Sequence, residues 1–257
     1  MIRLYKDLTI GYILGVIAGV ILAVVLILHD AEIFAIYLFE FLWIGIIRYL
    51  CNAAAIKRIN KLIAIMNQEC HAQEFLRQLV CLQENAKGEI MELFFATNLA
   101  AAYLNLGDAD TALFHLQNIN VDTTKRSRGK DKMFIVFYNN YAMAYMQKQD
   151  WEAAMDMLSK MKNLIDTVKA PLAVKQTYEN YYRLKCIRIQ AVQGNYEGAE
   201  EAFMNALEHT GSLLDQISLI YFLRDVFLYE GRWQEAEKCR EFIRENGGDT
   251  YYVAKVG

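Results

Sequence analysis

The sequence predicts an all-α protein in which two apolar helices precede a larger helical domain. Residues 8–28 contain no Asp, Glu, Lys, Arg or His, and residues 33–50 form a second apolar run that contains Glu40 and ends near Arg48. Beyond Ala53 the hydrophobic spacing is helical, and the chain has a single proline, Pro171. The 55% hydrophobic content is therefore concentrated at the N-terminal end.

The first apolar run predicts a transmembrane helix at about residues 8–28. A helix needs roughly 20 apolar residues to cross the hydrocarbon core of a bilayer. A secretory signal peptide is the rival interpretation, but its apolar core is usually shorter and ends at a small-residue cleavage site. His29 and a charged stretch follow Leu28 instead.

One side of this first helix carries only small residues. Small residues recur every four positions, which lets a neighbouring helix approach closely: Gly11, Gly15, Gly19 and Ala23. We expect the neighbour to be the second apolar helix. The same row in another copy of the protein, which would make a homo-oligomer, is the alternative.

The second apolar run predicts a helix at about residues 33–50. Glu40 is costly near mid-membrane, so we expect it to face protein rather than lipid. Residues 29–32 permit only a tight return, so residues 1–52 would form a transmembrane hairpin. A helix lying in the membrane interface is the alternative for this second run.

Charge asymmetry predicts the orientation of the hairpin. The turn carries acidic residues only, whereas basic residues flank the two helices: Arg3, Lys6, Arg48, Lys57, Arg58 and Lys61. The positive-inside rule then places both ends, and the helical domain, in the cytoplasm of a multi-pass membrane protein. The five scattered cysteines suit a reducing compartment. A single crossing would instead place the domain outside.

Four segments of the helical domain share one pattern around a turn. Each has an apolar helix end, a turn and an alanine five residues after the first turn residue: Gly107, Gln149, Gly194 and Gly231, followed by Ala112, Ala154, Ala199 and Ala236. The first two segments also contain Leu99-Ala100-x-x-Tyr103 and Tyr141-Ala142-x-x-Tyr145. Glycine at the turn favours the left-handed conformation that ends a helix.

This pattern resembles the tetratricopeptide repeat. Successive turns stand 42, 45 and 37 residues apart, which exceeds the family period of about 34. The resemblance implies an irregular α-solenoid of antiparallel helix pairs at about 93–120, 134–163, 175–208 and 214–246, within residues 91–247. Residues 53–90 would form a juxtamembrane helical pair that caps the solenoid, and residues 248–257 a tail.

The resemblance also implies a groove for a partner. In this family the first helix of each pair lines the concave face, which maps to Asn98, Ala101, Asn105, Asn139, Asn140, Met143, Gln147, Tyr181, Lys185 and Arg188. Amide side chains offer donors and acceptors to a peptide backbone, and Lys185 with Arg188 suits a carboxylate. We expect an extended acidic or amphipathic segment of a partner protein. A solvated face without a ligand is the alternative.

Motifs for catalysis and for cofactors are missing from the sequence. It has no phosphate-binding loop, no His-Glu-x-x-His and no Gly-x-Ser-x-Gly, and the four histidines stand apart. We therefore expect no enzyme activity, no cofactor and no metal. A net charge of -3 without a recurring basic face argues against nucleic acid. The basic stretch 123–132 is either a solvated loop or a contact for anionic lipid.

These observations predict a membrane-anchored scaffold or adaptor for protein–protein interaction. One alternative is a structural or accessory subunit of a membrane complex, assembled through the glycine-lined helix. A second alternative is an accessory or chaperone-like factor for membrane or exported proteins.

Overall fold

The computed structural model describes residues 4–29, 32–84, 88–121 and 130–257. Within these residues it contains helices and no strand, which confirms the predicted all-α class. The helices, numbered in chain order, are α1 Lys6–Leu28, α2 Ile33–Asn67, α3 Ala72–Gln83, α4 Glu89–Asn105, α5 Ala109–Gln117, α6 Asp131–Gln147, α7 Trp151–Thr167, α8 Leu172–Val192, α9 Ala199–His209, α10 Leu213–Tyr229, α11 Trp233–Asn246 and α12 Tyr251–Val256.

The chain divides into two compact units. Unit 1 comprises Met1–Ile63 with Cys81–Ala86, and unit 2 comprises Ala64–Val80 with Lys87–Gly257. Unit 1 thus holds α1 and most of α2, and unit 2 holds α4 to α12.

In unit 1, α1 and α2 contact each other in antiparallel order. Near the start of α1, Arg58 donates two hydrogen bonds to Asp7, at 2.9 and 2.6 Å. Further along α1, the Trp43 indole donates to the main-chain oxygen of Gly15 at 2.8 Å. Residues later in α1 therefore meet residues earlier in α2. The predicted link at residues 29–32 includes Asp30 and Ala31, which lie outside the described residues.

Both helices are long and apolar enough to cross a membrane. Most of their apolar side chains are exposed on unit 1; Leu28 and Phe41, for example, are 77% and 78% exposed. Exposed apolar surface of this extent is typical of a contact with lipid or with another protein.

Helix α2 runs without a break through the boundary predicted at residues 52 and 53. No glycine or proline occurs between Leu50 and Asn67, and three consecutive alanines begin at Ala53. Alanine has the highest helix propensity, so the local sequence offers no reason for the helix to stop. The helix ends at Asn67, and Cys70 just beyond it has a positive φ of 54°.

In unit 2, helices that follow one another in the chain pack together. Helix α4 packs on α5 and α6, α6 on α7 and α8, α8 on α9, and α10 on α9 and α11. One apolar core, which includes Ala100, Ala142 and Leu158, extends from α4 to α8. A second core, which includes Phe203, Leu223 and Ala236, joins α9, α10 and α11.

The three glycine turns have the left-handed geometry that the sequence predicted, and the turn at Gln149 shares it. The second residue after each first helix has a positive φ: 84° at Gly107, 60° at Gln149, 93° at Gly194 and 74° at Gly231. Two of the following helices also receive an aspartate N-cap, because Asp108 accepts from Thr111 N at 3.0 Å and Asp150 from Ala153 N at 3.1 Å.

The segment predicted as a tail contains a helix. Helix α12 packs against α4, α10 and α11, so it contacts helices from both ends of unit 2. The sequence pattern did not indicate this, because a six-residue helix is too short to show a period.

Candidate functional site

A cavity in unit 2 lies between α8, α9 and α10. Its volume is about 570 Å³, and its lining mixes aromatic, cationic, acidic and amide side chains. Three residues of the predicted groove line it, Tyr181, Lys185 and Arg188, which stand one turn apart on α8. Residues at such spacing share one face of a helix, so α8 presents all three to the same space.

Lys185 has an electrostatically unfavourable place in this cavity. Burial, and then the positive charge of Arg188, lower the pKa of its ammonium group to about 8, although Asp215 acts in the opposite direction. The described residues include no hydrogen-bond or ion-pair partner for its Nζ atom. A cation held in this way is stabilised when an anion enters.

Arg188 is a buried cation without an acidic partner among the described residues. Its side chain is 9% exposed, and its guanidinium carbon lies 3.8 Å from the centre of the Phe222 ring. Among the described residues, the guanidinium of Arg188 donates one hydrogen bond, to Met143 Sδ at 3.7 Å. Because a guanidinium carries five donors and a buried charge is costly when unpaired, Arg188 suits an anionic group in the cavity.

Helix α10 supplies the opposite wall with Asp215, Ser218 and Phe222. Asp215 stands in the first turn of α10, where its main-chain N–H donates to the Ser212 hydroxyl at 3.3 Å. Burial raises the pKa of the Asp215 carboxyl, against the lowering effect of Lys185. The cavity thus combines three cationic side chains, Arg183, Lys185 and Arg188, with one acid, Asp215, and an aromatic wall.

These α10 residues were not among the predicted site residues. They occupy the first helix of the fourth pair, whose match to the repeat pattern is weak because Arg224 and Arg240 stand at positions that the family keeps small or apolar. The i, i+3, i+7 spacing of Asp215, Ser218 and Phe222, which places all three on one face of α10, is the signal that could have revealed them.

The amide side chains predicted for α4 bind their own helix. Asn98 donates to Phe94 O and Asn105 to Ala101 O, both at 2.8 Å. Asn105 also lies 3.8 Å from Met66 Sδ. These amide donors are already used within unit 2.

Two amide side chains of α6 join it to α4. Asn140, which is 6% exposed, donates to Thr97 O at 2.9 Å, and Gln147 donates to Leu104 O at 2.8 Å. Asn139 donates to the Asn140 side chain at 3.3 Å. An alanine at position 140 would leave the Thr97 carbonyl without this donor, so its first effect would fall on stability rather than on a ligand.

A second cavity, of about 450 Å³, lies beside the first and is also lined by residues of α8 and α10. Gly107, Gln147, Arg188, Phe222 and Tyr251 are among its lining residues. We call the surface that carries both cavities the inner face; Gly107, Gln147, Arg188 and Phe222 mark it. Arg188 and Phe222 line both cavities and separate them.

In unit 1 the small residues of α1 receive large side chains of α2. A Cβ atom on Gly15 would lie 2.9 Å from Ile47, and one on Gly19 would overlap the Trp43 ring. Gly11 has no such neighbour within 4 Å, and Ala23 is 8% exposed. The glycines therefore make room for an indole ring as well as for a neighbouring helix.

Glu40 lies at the same contact. Its Oε2 atom is 3.4 Å from the position of a Cβ on Gly19, and its Oε1 atom is buried without a hydrogen-bond partner in the described chain. The expectation that this carboxylate faces protein agrees with this position.

The predicted basic stretch 123–132 lies largely outside the described residues, at 123–129. Lys130 is described, is 3% exposed and pairs with Glu89 at 3.1 Å. In the described part of the chain, no group of three or more His, Cys, Asp or Glu side chains is placed to hold a metal ion.

The structure thus defines an all-helical protein with two apolar N-terminal helices and a polar cavity in its second unit. Comparisons find no match to this chain among protein-family models, curated proteins or solved structures. A functional assignment therefore depends on the residues described above.

Proposed function

We propose that this protein is a membrane-anchored protein–protein interaction module whose inner face binds a segment of a partner protein. In this proposal α1 and α2 form a transmembrane hairpin, and unit 2 is a tetratricopeptide-like solenoid in the cytoplasm. The helix pairs, their positive-φ turns and the alanine positions that the repeat pattern shares support the solenoid.

The cavity between α8 and α10 is the observation that carries the proposal. Arg188 is buried without an acidic partner in the described chain, and Lys185 has its pKa lowered to about 8 beside it. An acidic side chain of an extended segment would pair with both cations, while Tyr181 and Phe222 would contact its apolar part. The ligand class is therefore an acidic or amphipathic segment, as the sequence indicated.

Assembly of a membrane complex through the glycine row is less well supported. Gly15 and Gly19 contact Ile47 and Trp43 of the same chain, so this part of the row has a neighbour without any second protein.

Photo-crosslinking tests the binding site directly. A photoreactive phenylalanine derivative at Tyr181, which is 39% exposed in the cavity, is expected to form adducts with a partner in cells. The matched control is Tyr229, which is 63% exposed on α10 away from the cavity lining. Equal adducts at both positions, or none at Tyr181, would contradict the proposal.

Removal of the two cations is expected to weaken the partner complex at least tenfold. Lys185→Gln with Arg188→Gln eliminates two charge-assisted contacts, each worth about 1.5–3 kcal/mol in other proteins, and about 1.4 kcal/mol corresponds to tenfold in affinity. The Tyr181 adduct yield measures the effect. Exposed Lys169→Gln and Lys238→Gln serve as controls that remove the same charge without touching the cavity.

The topology has its own test, in a chain without the five native cysteines. A cysteine at exposed His29 is expected to react with an impermeant thiol reagent in intact cells, and one at exposed Lys169 only after permeabilisation. Lys130 is unsuitable for this purpose because its side chain is buried. Reaction at Lys169→Cys in intact cells would favour a single crossing with unit 2 outside.

A further inference from the structure

Residues 247–257, which we call the α12 segment, cover part of the inner face. Within the segment Tyr252 is 3% exposed, Val256 6% and Thr250 2%. This burial distinguishes the segment from a solvated tail.

Aromatic contacts attach the segment to α10. The Tyr252 hydroxyl donates to Ser218 Oγ at 3.0 Å, and its ring centre lies 5.3 Å from that of Tyr221. Tyr251 packs beside the turn between α4 and α5, with its Cβ atom 3.1 Å from the position that a Cβ on Gly107 would occupy. A side chain at Gly107 would push Tyr251 away.

Asp249 attaches the segment to the start of α3. Its carboxylate accepts hydrogen bonds from Ala72 N at 2.6 Å and Gln73 N at 3.0 Å, and its own N–H donates to Cys70 O at 3.2 Å. This satisfies the free N–H groups that every helix has at its N-terminus. Gly248, with a φ of 56°, packs directly on the Cys70 carbonyl.

The segment also lines the second cavity and contacts a wall residue of the first. Tyr251 and Lys255 line the second cavity together with Arg188 and Phe222, which also line the first. Ser218, the acceptor of the Tyr252 hydroxyl, belongs to the wall of the first cavity. The α12 segment therefore occupies inner-face surface that continues into the candidate partner site.

We propose that the α12 segment is an intramolecular ligand of the inner face that docks and releases reversibly. Its recognition chemistry is two adjacent aromatic residues on a short helix, one of which places its ring beside Tyr221 and its hydroxyl against Ser218. This inference goes beyond the proposed function, because it concerns the chain's own segment and holds whether or not an acidic ligand binds at Lys185.

The small apolar area that the segment buries, compared with the backbone entropy lost when it docks, favours reversible binding. The segment buries few large side chains, chiefly Tyr252 and Val256, whereas its docking fixes the backbone of about ten residues. Elements with few buried apolar contacts open with a lower free energy than a domain core. The segment begins with Gly247 and Gly248 directly after α11, and glycine gives this start more conformational freedom than other residues would.

Hydrogen exchange on the full-length protein in detergent measures the opening of the segment. In Tyr252→Ala, amide exchange at residues 249–256 and at Ala72 and Gln73 is expected to be at least tenfold faster, with α6 and α7 unchanged. Tyr229→Ala, which removes an exposed aromatic residue from α10, is the control and leaves both regions unchanged.

A peptide supplied in trans measures the ligand character. A synthetic peptide of residues 247–257, added to a chain that lacks those residues, is expected to restore protection at Ala72 and Gln73. The same peptide with Tyr252→Ala is expected to bind at least tenfold more weakly. None of these readouts uses a partner or the Lys185 site, so the proposed function can fail while this inference holds, and the reverse.

Two results would overturn the inference. In the first, the shortened chain is folded by circular dichroism but does not bind the peptide. In the second, Tyr252→Ala accelerates exchange throughout α4 to α7, which would make α12 a fixed part of the core. If the shortened chain does not fold, the hydrogen exchange of Tyr252→Ala in the full-length protein alone decides whether the inference holds.

Discussion

Gly19→Ile is expected to separate α1 from α2 and to lower the stability of unit 1 by about 1–3 kcal/mol, the usual cost of overpacking. Even the first carbon of the new side chain would overlap the Trp43 ring, which is held by its hydrogen bond to Gly15 O. Trp43 reports the change in a chain that carries Trp151→Phe and Trp233→Phe. We expect its fluorescence to shift and the helices to become sensitive to protease.

Gly11→Ile is the matched control for this experiment. It adds the same apolar side chain to the same helix, but a Cβ at Gly11 meets nothing within 4 Å. Both variants should insert into membranes equally, since isoleucine favours the bilayer. The opposite result is a changed oligomeric state in Gly11→Ile and an unchanged Trp43 fluorescence in Gly19→Ile. It would show that the small residues of α1 contact another copy of the protein.

Lys185→Met is expected to stabilise the protein at pH 7 and to lose that advantage as the pH rises. The folded-state pKa of about 8 lies below the ordinary Lys value of 10.5, so the unfolded chain binds more protons between these values. The contribution of Lys185 to the free energy of unfolding of the wild type therefore rises as the pH increases from about 8 to 10.5. At pH 7 the variant should be more stable by about 1–3 kcal/mol.

The difference between the variant and the wild type is the quantity to measure, because other groups titrate in the same range. Denaturant unfolding at pH 7, 8.5 and 10 in detergent gives the difference curve. Lys238→Met, at an exposed position on α11, should give a difference near zero at each pH. A constant advantage for Lys185→Met would show that its ammonium group is not penalised in the folded state.

The parts of the fold that depend on local sequence could be predicted. Each positive-φ turn, including the one at Gln149, follows from a short pattern repeated along the chain. The apolar runs at α1 and α2 follow from composition alone. In contrast, the continuity of α2 past Leu50 depends on the absence of a helix-breaking residue there, whereas the prediction relied on the change from apolar to charged composition.

The candidate site could be predicted only in part, because its contacts join distant residues. Tyr181, Lys185 and Arg188 were predicted from the resemblance to the repeat family, in which the first helix of each pair lines the concave face. The use of Asn140 to bind Thr97 O could not be read from the sequence, since an amide suits a ligand and a neighbouring helix equally well. The attachment of Asp249 to α3 lies beyond any local pattern for the same reason.

The attachment of Asp249 to α3 also affects the synthesis of the protein. The amides of Ala72 and Gln73 precede their acceptor by 177 and 176 residues, so a ribosome translates α3 long before the carboxylate that caps it exists. During that interval the first turn of α3 has no Asp249 carboxylate to accept from its N–H groups, and the surface beside Gly107 stays uncovered. Until residues 249–256 are synthesised, the nascent chain therefore exposes surface that the α12 segment covers in folded unit 2, and transiently exposed apolar surface favours aggregation.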